Sequence, residues 1–396
     1  MKFSRRVFFG SAASLAAFGR TAFAQATQSP RDPTKAPGTP PSTLGQRSPF
    51  EHPQRTPIGI VSRTPLQDLR GTITPADLHY ERHHAGVPQI DPANYSLLIH
   101  GMVDRPTVFT LADLERLPST SRICFLECSG NYQRRLTAAM TAQQIAGLTS
   151  QSEWTGVTLA TLFREVGVRP QATWFLAEGG DAALMTRSIP VDKAHEDAMI
   201  VYAQNGEAIR PEQGYPARLL LPGWEGNTSV KWIRRIELSD RAFMTREETS
   251  KYTDPLANGT ARMFSFVMDA RSIITSPSYP GKLSRGSNEI IGIAWSGYER
   301  IRRVELSTDG GKTWSAANLQ TPVLPKAHTR FHFQWDWDGR EAVIMSRAID
   351  ETGYVQPTRE QLFAARGDGS IPYHLNPITA WVVRPDGTVV CREEGL

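Results

Sequence analysis

The chain has 396 residues, 40% of them hydrophobic, which is enough for about two or three ordinary domains. Its 44 Lys and Arg residues nearly balance 40 Asp and Glu, so the formal net charge is only +4. This balance, without any basic low-complexity run, argues against a nucleic-acid-binding protein. Three cysteines are too few for a disulfide framework in a chain of this size.

The N-terminus has the features of an export signal. Ser4-Arg5-Arg6-Val7-Phe8-Phe9 is a twin-arginine pattern, an apolar stretch follows to about Phe18, and Ala22-Phe23-Ala24 offers a cleavage site. We therefore expect residues 1–24 to be a twin-arginine signal peptide and the mature protein to be periplasmic. A single membrane anchor is the alternative, but the apolar run is short and contains Gly and Ser. No later segment is long and apolar enough to cross a bilayer.

Residues 25–57 and 58–255 differ sharply in pattern. The first segment contains eight prolines and is predicted to be a linker or arm without a core of its own. The second predicts an α+β domain. Its predicted strands lie at 95–100, 174–177, 199–202, 207–209, 218–221 and 232–238, with Asn205-Gly206 as a hairpin turn. Two helices are predicted in this segment. The first follows Thr110, which caps it, and the second spans 158–166 and is closed by Gly167.

From residue 256 to 396 short strands with turn signals replace the helical pattern. They are predicted at 262–268, 289–295, 302–306, 330–335, 342–348 and 379–383. This spacing is typical of a β-sandwich of the immunoglobulin-like kind. The segment 307–314 matches an Asp-box hairpin, which we interpret as a structural turn held by Asp309 and Trp314.

The segment 122–131 is the first candidate for chemistry. Alternating apolar residues up to Leu126 predict a buried strand, and Cys128-Ser129-Gly130-Asn131 predicts a sharp turn after it. A thiol at such a strand end is well placed to meet a ligand. One alternative is a buried structural thiol. The other is a Cys124–Cys128 disulfide, but an extended strand separates those Cα atoms by about 13 Å, whereas a disulfide needs less than about 7 Å.

Two further clusters are suited to an anion. Arg82 and His84 lie in the segment Glu81-Arg82-His83-His84, and the glycine-rich segment 222–232 ends in Lys231 and Trp232. A metal site made of His79, His83 and His84 is the less favoured interpretation, because no second cluster completes a ligand set. The sequence contains no dinucleotide-binding or P-loop fingerprint.

Together these segments resemble the sulfite oxidase family of molybdenum enzymes, from about residue 75 to the C-terminus. Five motifs agree in order and spacing: Arg82-His83-His84 with Val87-Pro88, Glu127-Cys128-Ser129-Gly130-Asn131, Gly214-Tyr215-Pro216-Ala217-Arg218, Pro222-Gly223 with Ser229-Val230-Lys231-Trp232, and Ala365-Arg366-Gly367. Within the family they are most similar to the molybdenum subunits of sulfane dehydrogenases of the Sox sulfur-oxidation system. The resemblance implies a sulfite-oxidase-type molybdopterin-binding domain at 58–255, a dimerisation domain at 256–396, and molybdenum and molybdopterin as cofactors.

The resemblance also implies roles for individual residues. Cys128 would ligate molybdenum, for which a soft thiolate is a suitable ligand. The residues implied to hold the cofactor are Arg82, His83, His84, Cys128, Asp181, Arg218, Ser229, Val230 and Lys231. The implied catalytic residues are Tyr252, beside the metal, and Arg82 and Arg366, in the substrate anion pocket. Because Arg366 belongs to the second domain, the site is expected between the two domains.

Two positions depart from the family pattern. Gln133 stands where sulfite oxidases typically have a pocket arginine, and Gln213 stands where they have a pterin-binding histidine. The first departure weakens the case for free sulfite, a small dianion, and favours a sulfane sulfur carried on the cysteine of a carrier protein. The expected function is therefore oxidation of that carrier-bound sulfur during thiosulfate oxidation. A sulfite dehydrogenase and an inactive binding protein with the same fold are the alternatives.

The expected electron acceptor is a separate protein. Cys124, Cys128 and Cys391 are too few and wrongly spaced for a Cys-x-x-Cys-His haem attachment, and no flavin fingerprint is present. The resemblance points to a dihaem c-type cytochrome subunit bound to a homodimer of this chain, as a heterotetramer.

Overall fold

The computed structural model describes residues 40–256, 258–366 and 373–394. The chain divides after Glu51 into two units, of which the second, His52–Leu396, is compact. In the first unit, the described residues 40–51 are exposed. The expected signal peptide at 1–24, much of the arm at 25–57, and Gly367 lie outside the described residues.

The first part of the larger unit mixes short strands with short helices. Its strands are β1 (Thr56–Ile58), β2 (Val61–Arg63), β3 (Glu81–Arg82), β4 (Ser96–Gly101), β5 (Thr107–Thr110), β6 (Thr120–Glu127), β7 (Thr149–Thr158), β8 (Trp174–Gly179), β9 (Thr186–Pro190), β10 (Met199–Gln204), β11 (Glu207–Ala208), β12 (Arg218–Leu220), β13 (Ile233–Ser239), β14 (Asp254–Pro255) and β15 (Ala261–Arg262). Its helices are α1 (Leu111–Arg116), α2 (Ala142–Ala146), α3 (Leu159–Val166), α4 (Val191–Glu196) and α5 (Arg246–Ser250).

Two five-stranded sheets organise this part. One has the order β11-β10-β7-β6, with β12 also pairing with β10, and the other has the order β5-β4-β13-β8-β9. Strands β4 and β13 run parallel, whereas the other pairs of these two sheets are antiparallel. Helix α1 begins with a capping box between Thr110 and Asp113, and α3 ends at Gly167, whose φ of 69° suits glycine. The predicted α+β class and both predicted helices are confirmed.

The second part is a β-sandwich, as predicted. Its strands are β16 (Arg271–Ser276), β17 (Gly286–Trp295), β18 (Ile301–Ser307), β19 (Ser315–Ala316), β20 (Asn318–Leu319), β21 (Thr329–Trp337), β22 (Ala342–Asp350), β23 (Ala380–Val383) and β24 (Val389–Cys391), and it also contains helix α6 (Arg359–Arg366). The sheets have the orders β16-β17-β21-β20 and β19-β18-β22-β23-β24. Trp295, Phe331 and Trp381 fill the core of this sandwich with no exposed surface.

Several details of the second part differ from the sequence predictions. The predicted strand at 262–268 is interrupted, because Phe264 has a φ of 59°: only Arg262 belongs to a strand, β15, and Val267 forms an isolated bridge with Trp224. Strands β16, β19, β20 and β24 and helix α6 were not predicted. Helix α6 buries only Leu362, so it lacks the apolar stripe that would identify it.

The Asp box is a structural turn: Asp309 accepts backbone hydrogen bonds from Lys312 and Thr313 at 3.0 Å.

Strand β6 lies between two hydrophobic cores. Because side chains alternate along a strand, Phe125 packs into the sandwich core, whereas Cys124 and Leu126 pack on the opposite side against Trp154. All four side chains are buried. The strand that carries Cys128 at its end is therefore held on both faces.

Cys124, Cys128 and Cys391 are free thiols. None of the described helices is long and apolar enough to cross a membrane.

Candidate active site

A cleft of about 670 Å³ opens at the end of β6. Every predicted site residue except Arg366 lines it. The lining residues are Tyr80, Arg82, His83, His84, Leu126, Cys128, Asp181, Met185, Gln213, Arg218, Gly226, Asn227, Ser229, Val230, Lys231, Trp232 and Tyr252. Six separate segments of the first part of the chain thus meet at this cleft.

Cys128 is held by backbone hydrogen bonds on both sides of its turn. Its N–H donates to the Leu148 carbonyl at 2.9 Å, and its own carbonyl accepts from Asn131 N–H at 2.9 Å. The Asn131 side chain completes the turn by accepting from Leu148 N–H at 2.9 Å. Burial raises the pKa of the Cys128 thiol, although the N–H of Gly130 and the charge of Arg82 oppose this. A bound cation would reverse the balance in favour of the thiolate.

The segment 222–232 approaches the end of β6 very closely. Gly226 N–H donates to the carbonyl of Glu127 at 2.6 Å. A Cβ atom on Gly226 would lie 2.6 Å from the Tyr80 hydroxyl, which is closer than carbon and oxygen can approach. Only glycine therefore allows this segment to bring Asn227, Ser229 and Lys231 to the cleft beside Cys128.

One side of the cleft is cationic. Lys231 Nζ lies 2.8 Å from His83 Nδ1 and donates to the carbonyl of Glu212 at 3.0 Å. The buried Arg218 donates to the carbonyls of Gln213 and Ser229 at 2.9 Å and 2.7 Å. Burial lowers the pKa of Lys231 well below its ordinary value and that of Arg218 to about 10. A bound anionic group would offset this cost of holding positive charge away from water.

The histidines near the cleft have different environments. His83 Nε2 lies 2.7 Å from Glu81 Oε2, and His84 Nε2 lies 3.4 Å from the Tyr252 hydroxyl. Burial, aided by Arg82, lowers the pKa of His84 to about 4. His79 does not line the cleft, because it is buried between Tyr80 and Trp154. Among the described residues no group of three His, Cys, Asp or Glu side chains is arranged to hold a metal ion.

Tyr252 connects the cleft to a buried ionic network. The Arg187 guanidinium carbon lies 4.9 Å from the centre of its ring. Arg187 is fully buried and pairs with Glu225 at 2.8 Å and with Glu248 at 2.7 Å. Burial raises the pKa of Tyr252, so its hydroxyl is a neutral hydrogen-bond donor.

The sandwich part of the chain closes the site from the other side. His374 Nε2 lies 3.1 Å from Glu225 Oε2, and His374 N–H donates to the carbonyl of Ser129 at 2.8 Å. Tyr373 packs against Tyr252 with 5.1 Å between ring centres. The structure therefore places the cleft beside the junction of the two parts.

Arg366 is not brought to the lining of the cleft. Its guanidinium forms an ion pair with Asp269 and donates to the carbonyl of His374 at 2.6 Å. Its catalytic role stays a prediction. Gln133, the apparent replacement of a pocket arginine, donates to the carbonyl of Gln144 at 3.0 Å and is not a lining residue either. Gln213 does line the cleft and donates to the carbonyl of Tyr80 at 2.8 Å.

Sequence reasoning missed several residues that shape the site. Tyr80, Met185, Asn227, Arg187, Glu225 and Tyr373 belong to this group. Tyr80 and Asn227 adjoin recognised motifs, and that proximity was a usable signal. Arg187 and Glu225 had none, because a pair 38 positions apart in the sequence meets only in the folded chain.

Comparisons with known proteins agree with this geometry. The model of the oxidoreductase molybdopterin binding domain matches residues 84–247, and the model of the Mo-co oxidoreductase dimerisation domain matches residues 262–380. The solved structure of the sulfane dehydrogenase SoxCD from Paracoccus pantotrophus is 44% identical, has a TM-score of 0.88, and covers 91% of this chain and 97% of its own.

Curated relatives are more distant. Mitochondrial sulfite oxidase of Drosophila melanogaster is 30% identical over 337 residues, covering 76% of this chain and 58% of its own length. NADH nitrate reductase of Ulva prolifera is 30% identical over 340 residues, covering 75% and 39% respectively. The chain thus spans between two fifths and three fifths of the length of these two relatives. It belongs to the sulfite oxidase family of molybdopterin oxidoreductases, and its cofactor is the molybdenum–molybdopterin group.

Proposed function

We propose that this chain is the molybdenum subunit of a sulfane dehydrogenase, which oxidises a sulfane sulfur held on a carrier protein's cysteine. The supporting observation is the likeness to the SoxCD sulfane dehydrogenase, at 44% identity over 97% of that chain. The chemistry of the cleft agrees, since a single thiol lies beside several cationic side chains. Sulfite dehydrogenase activity and a non-catalytic binding role are the competing functions.

The residues that line the cleft fit the cofactor. Cys128 offers one soft sulfur ligand for molybdenum. Lys231 and Arg218 offer the positive charge that a phosphate requires. Asn227 also lines the cleft, and its Oδ1 is a buried hydrogen-bond acceptor with no partner among the described residues. We propose that His83, His84, Asp181, Ser229 and Val230 complete the cradle for the pterin and its phosphate.

When bound, the molybdenum cofactor supplies oxygen-atom transfer to sulfur coupled to the uptake of two electrons. The protein's part is orientation, positive potential and exclusion of water. Arg82, at the cleft, attracts the anionic product and orients the reacting sulfur. Tyr252, kept neutral by burial, donates a hydrogen bond toward the reacting group.

The lining of the cleft supports the proposed substrate preference. Arg82 lines it, whereas Gln133 and Arg366 have side-chain partners elsewhere. Leu126, Met185 and Trp232 contribute apolar surface instead. A cleft with one proposed substrate-binding arginine and this apolar surface supports the proposed preference for a polarisable sulfane sulfur over free sulfite.

We also propose a dihaem c-type cytochrome as electron acceptor, in a heterotetramer built on a homodimer of this chain, and export to the periplasm by the twin-arginine route. Purification from the native periplasm should retain haem with the chain. Arg5→Lys combined with Arg6→Lys should leave the protein in the cytoplasm. If the haem-free chain sustains multiple turnovers with oxygen at an undiminished rate, it is an independent oxidase.

The decisive experiment measures cytochrome c reduction by the molybdenum-loaded chain with two substrates. One is a small carrier protein whose single cysteine is persulfidated, and the other is free sulfite. We expect a higher kcat/KM for the carrier. A higher value for sulfite identifies a sulfite dehydrogenase, and no turnover of either by fully loaded protein identifies a binding protein.

A further inference from the structure

Tyr373 lies opposite Cys128 across the turn that follows β6. A Cβ atom placed on Gly130 would lie 3.9 Å from Cys128 Sγ and 4.0 Å from Tyr373 Cδ1. The two side chains therefore border the same space beside Gly130, a residue that has no side chain. Tyr373 comes from the sandwich part of the chain, whereas Cys128 comes from the first part.

The position of Tyr373 is fixed by its neighbours. The next residue, His374, is tied to Ser129 through its backbone and to Glu225 through its ring. Glu225 also pairs with the buried Arg187, whose guanidinium lies over the ring of Tyr252. A connected set of contacts thus sets the two phenol rings 5.1 Å apart at an interplanar angle of 44°.

This arrangement gives the site two different faces. Arg82, Lys231 and Arg218 supply a cationic face, and Tyr252, which also lines the cleft, packs against the tilted ring of Tyr373. Cations recognise the oxygens of sulfite or of an oxidised sulfur product. Aromatic rings instead make favourable contacts with soft, polarisable divalent sulfur, at about 5 Å from the ring.

We propose that Tyr373 is a specificity-determining residue that contacts the divalent sulfur of a carrier-bound substrate through its ring. The proposal rests on the proposed function, and it names the group that lets the site prefer sulfane sulfur to sulfite. Its essential feature is the aromatic ring, so phenylalanine at this position preserves the contact and alanine removes it.

Binding of redox-inert peptides tests this contact separately from turnover. The two probes are short glycine-rich peptides that differ in one side chain, S-methylcysteine in one and norvaline in the other, so that sulfur is exchanged for a methylene group. Dissociation constants are measured by calorimetry on the molybdenum-loaded wild type, Tyr373→Phe and Tyr373→Ala. Tyr298→Ala is the control, because Tyr298 is a partly exposed tyrosine of the same domain, whereas Tyr373 packs against Tyr252, a lining residue of the cleft.

We expect the wild type, Tyr373→Phe and Tyr298→Ala to bind the sulfur-containing peptide about two- to tenfold more tightly than the norvaline peptide. Tyr373→Ala should bind the two equally. The proposal is overturned if the wild type does not distinguish the peptides, or if Tyr373→Ala keeps the preference. If the preference depends on Tyr373 but the wild type oxidises only free sulfite, the proposed function fails and the contact stands.

Discussion

The indole N–H of Trp295 donates a hydrogen bond of 2.6 Å to the carboxylate of Glu127, the residue that directly precedes Cys128. Trp295 belongs to the sandwich and Glu127 to the molybdopterin-binding part, so the candidate metal ligand is anchored by the other half of the protein. The same carboxylate accepts from Asn131 at 2.9 Å and pairs with the buried Arg271 at 3.2 Å.

Removal of this carboxylate should destabilise the whole chain. Glu127→Ala leaves the Arg271 charge buried without its partner, and we expect the free energy of unfolding to fall by about 3–5 kcal/mol. Urea unfolding measures the change. Glu289→Ala removes an exposed carboxylate paired with His332 and should change the same quantity by less than about 0.5 kcal/mol. Equal effects of the two substitutions would show that the Glu127 network does not join the two parts.

Glu225 should make stability depend on acidity. Burial alone would raise the pKa of Glu225, but the charge of Arg187 and the hydrogen bond from His374 outweigh it and lower the pKa to about 2. An unfolded glutamate has a pKa of about 4.3, so the stabilisation is complete above that pH and is lost as pH falls toward 2. Its size is about 3 kcal/mol by linkage.

The measurement is the free energy of unfolding between about pH 5 and pH 2, for the wild type and Glu225→Gln. The variant should show a smaller loss across this range, because it has no carboxylate to protonate. His374 gives the opposite dependence at higher pH. Burial lowers its pKa, but the hydrogen bond and charge of Glu225 outweigh this and raise the pKa. The stabilisation from the charged His374 is therefore lost as pH rises through the raised pKa. Parallel acid profiles would rule out Glu225 as the titrating group.

Cys128→Ser should abolish molybdenum-dependent turnover while leaving the protein folded. The substitution replaces a soft thiolate with a hard hydroxyl, which is a poor ligand for this metal. Cys124→Ala is the matched control, since Cys124 is buried on β6 and does not line the cleft. It should lower the free energy of unfolding but keep kcat. Metal content, circular dichroism and kcat are compared, and a Cys128→Ser protein with most of its activity would remove Cys128 from the metal site.

Arg82→Gln should lower kcat/KM by about 10- to 100-fold, since one charge-assisted contact contributes roughly 1.5–3 kcal/mol. Arg366→Gln distinguishes the role of Arg366 from that of Arg82. Because Arg366 pairs with Asp269, its neutralisation should reduce the free energy of unfolding, with a smaller loss of kcat/KM than for Arg82→Gln. A larger kinetic loss for Arg366→Gln, at unchanged stability, would place Arg366 at the substrate instead.

The local pattern of the sequence determined many of the elements, and the resemblance to a known family supplied the cofactor and the candidate cradle residues. Alternation up to Leu126 predicted β6, the Cys128 turn marked the candidate metal ligand, and the motifs around Arg82 and Lys231 supplied cations that the structure brings to one cleft. These features are readable because each depends on residues close together in the chain, where propensity and turn chemistry act.

Only the tertiary structure decided which distant groups meet. The pairs Glu127–Trp295 and Glu225–His374 join residues from different parts of the chain, and the Asp269 pair keeps Arg366 from lining the cleft. No sequence periodicity encodes such contacts, because buried charges are placed by the packing of whole sheets and must find their partners there. The position of Tyr373 opposite Cys128 arises in the same way, from two domains that close on one turn.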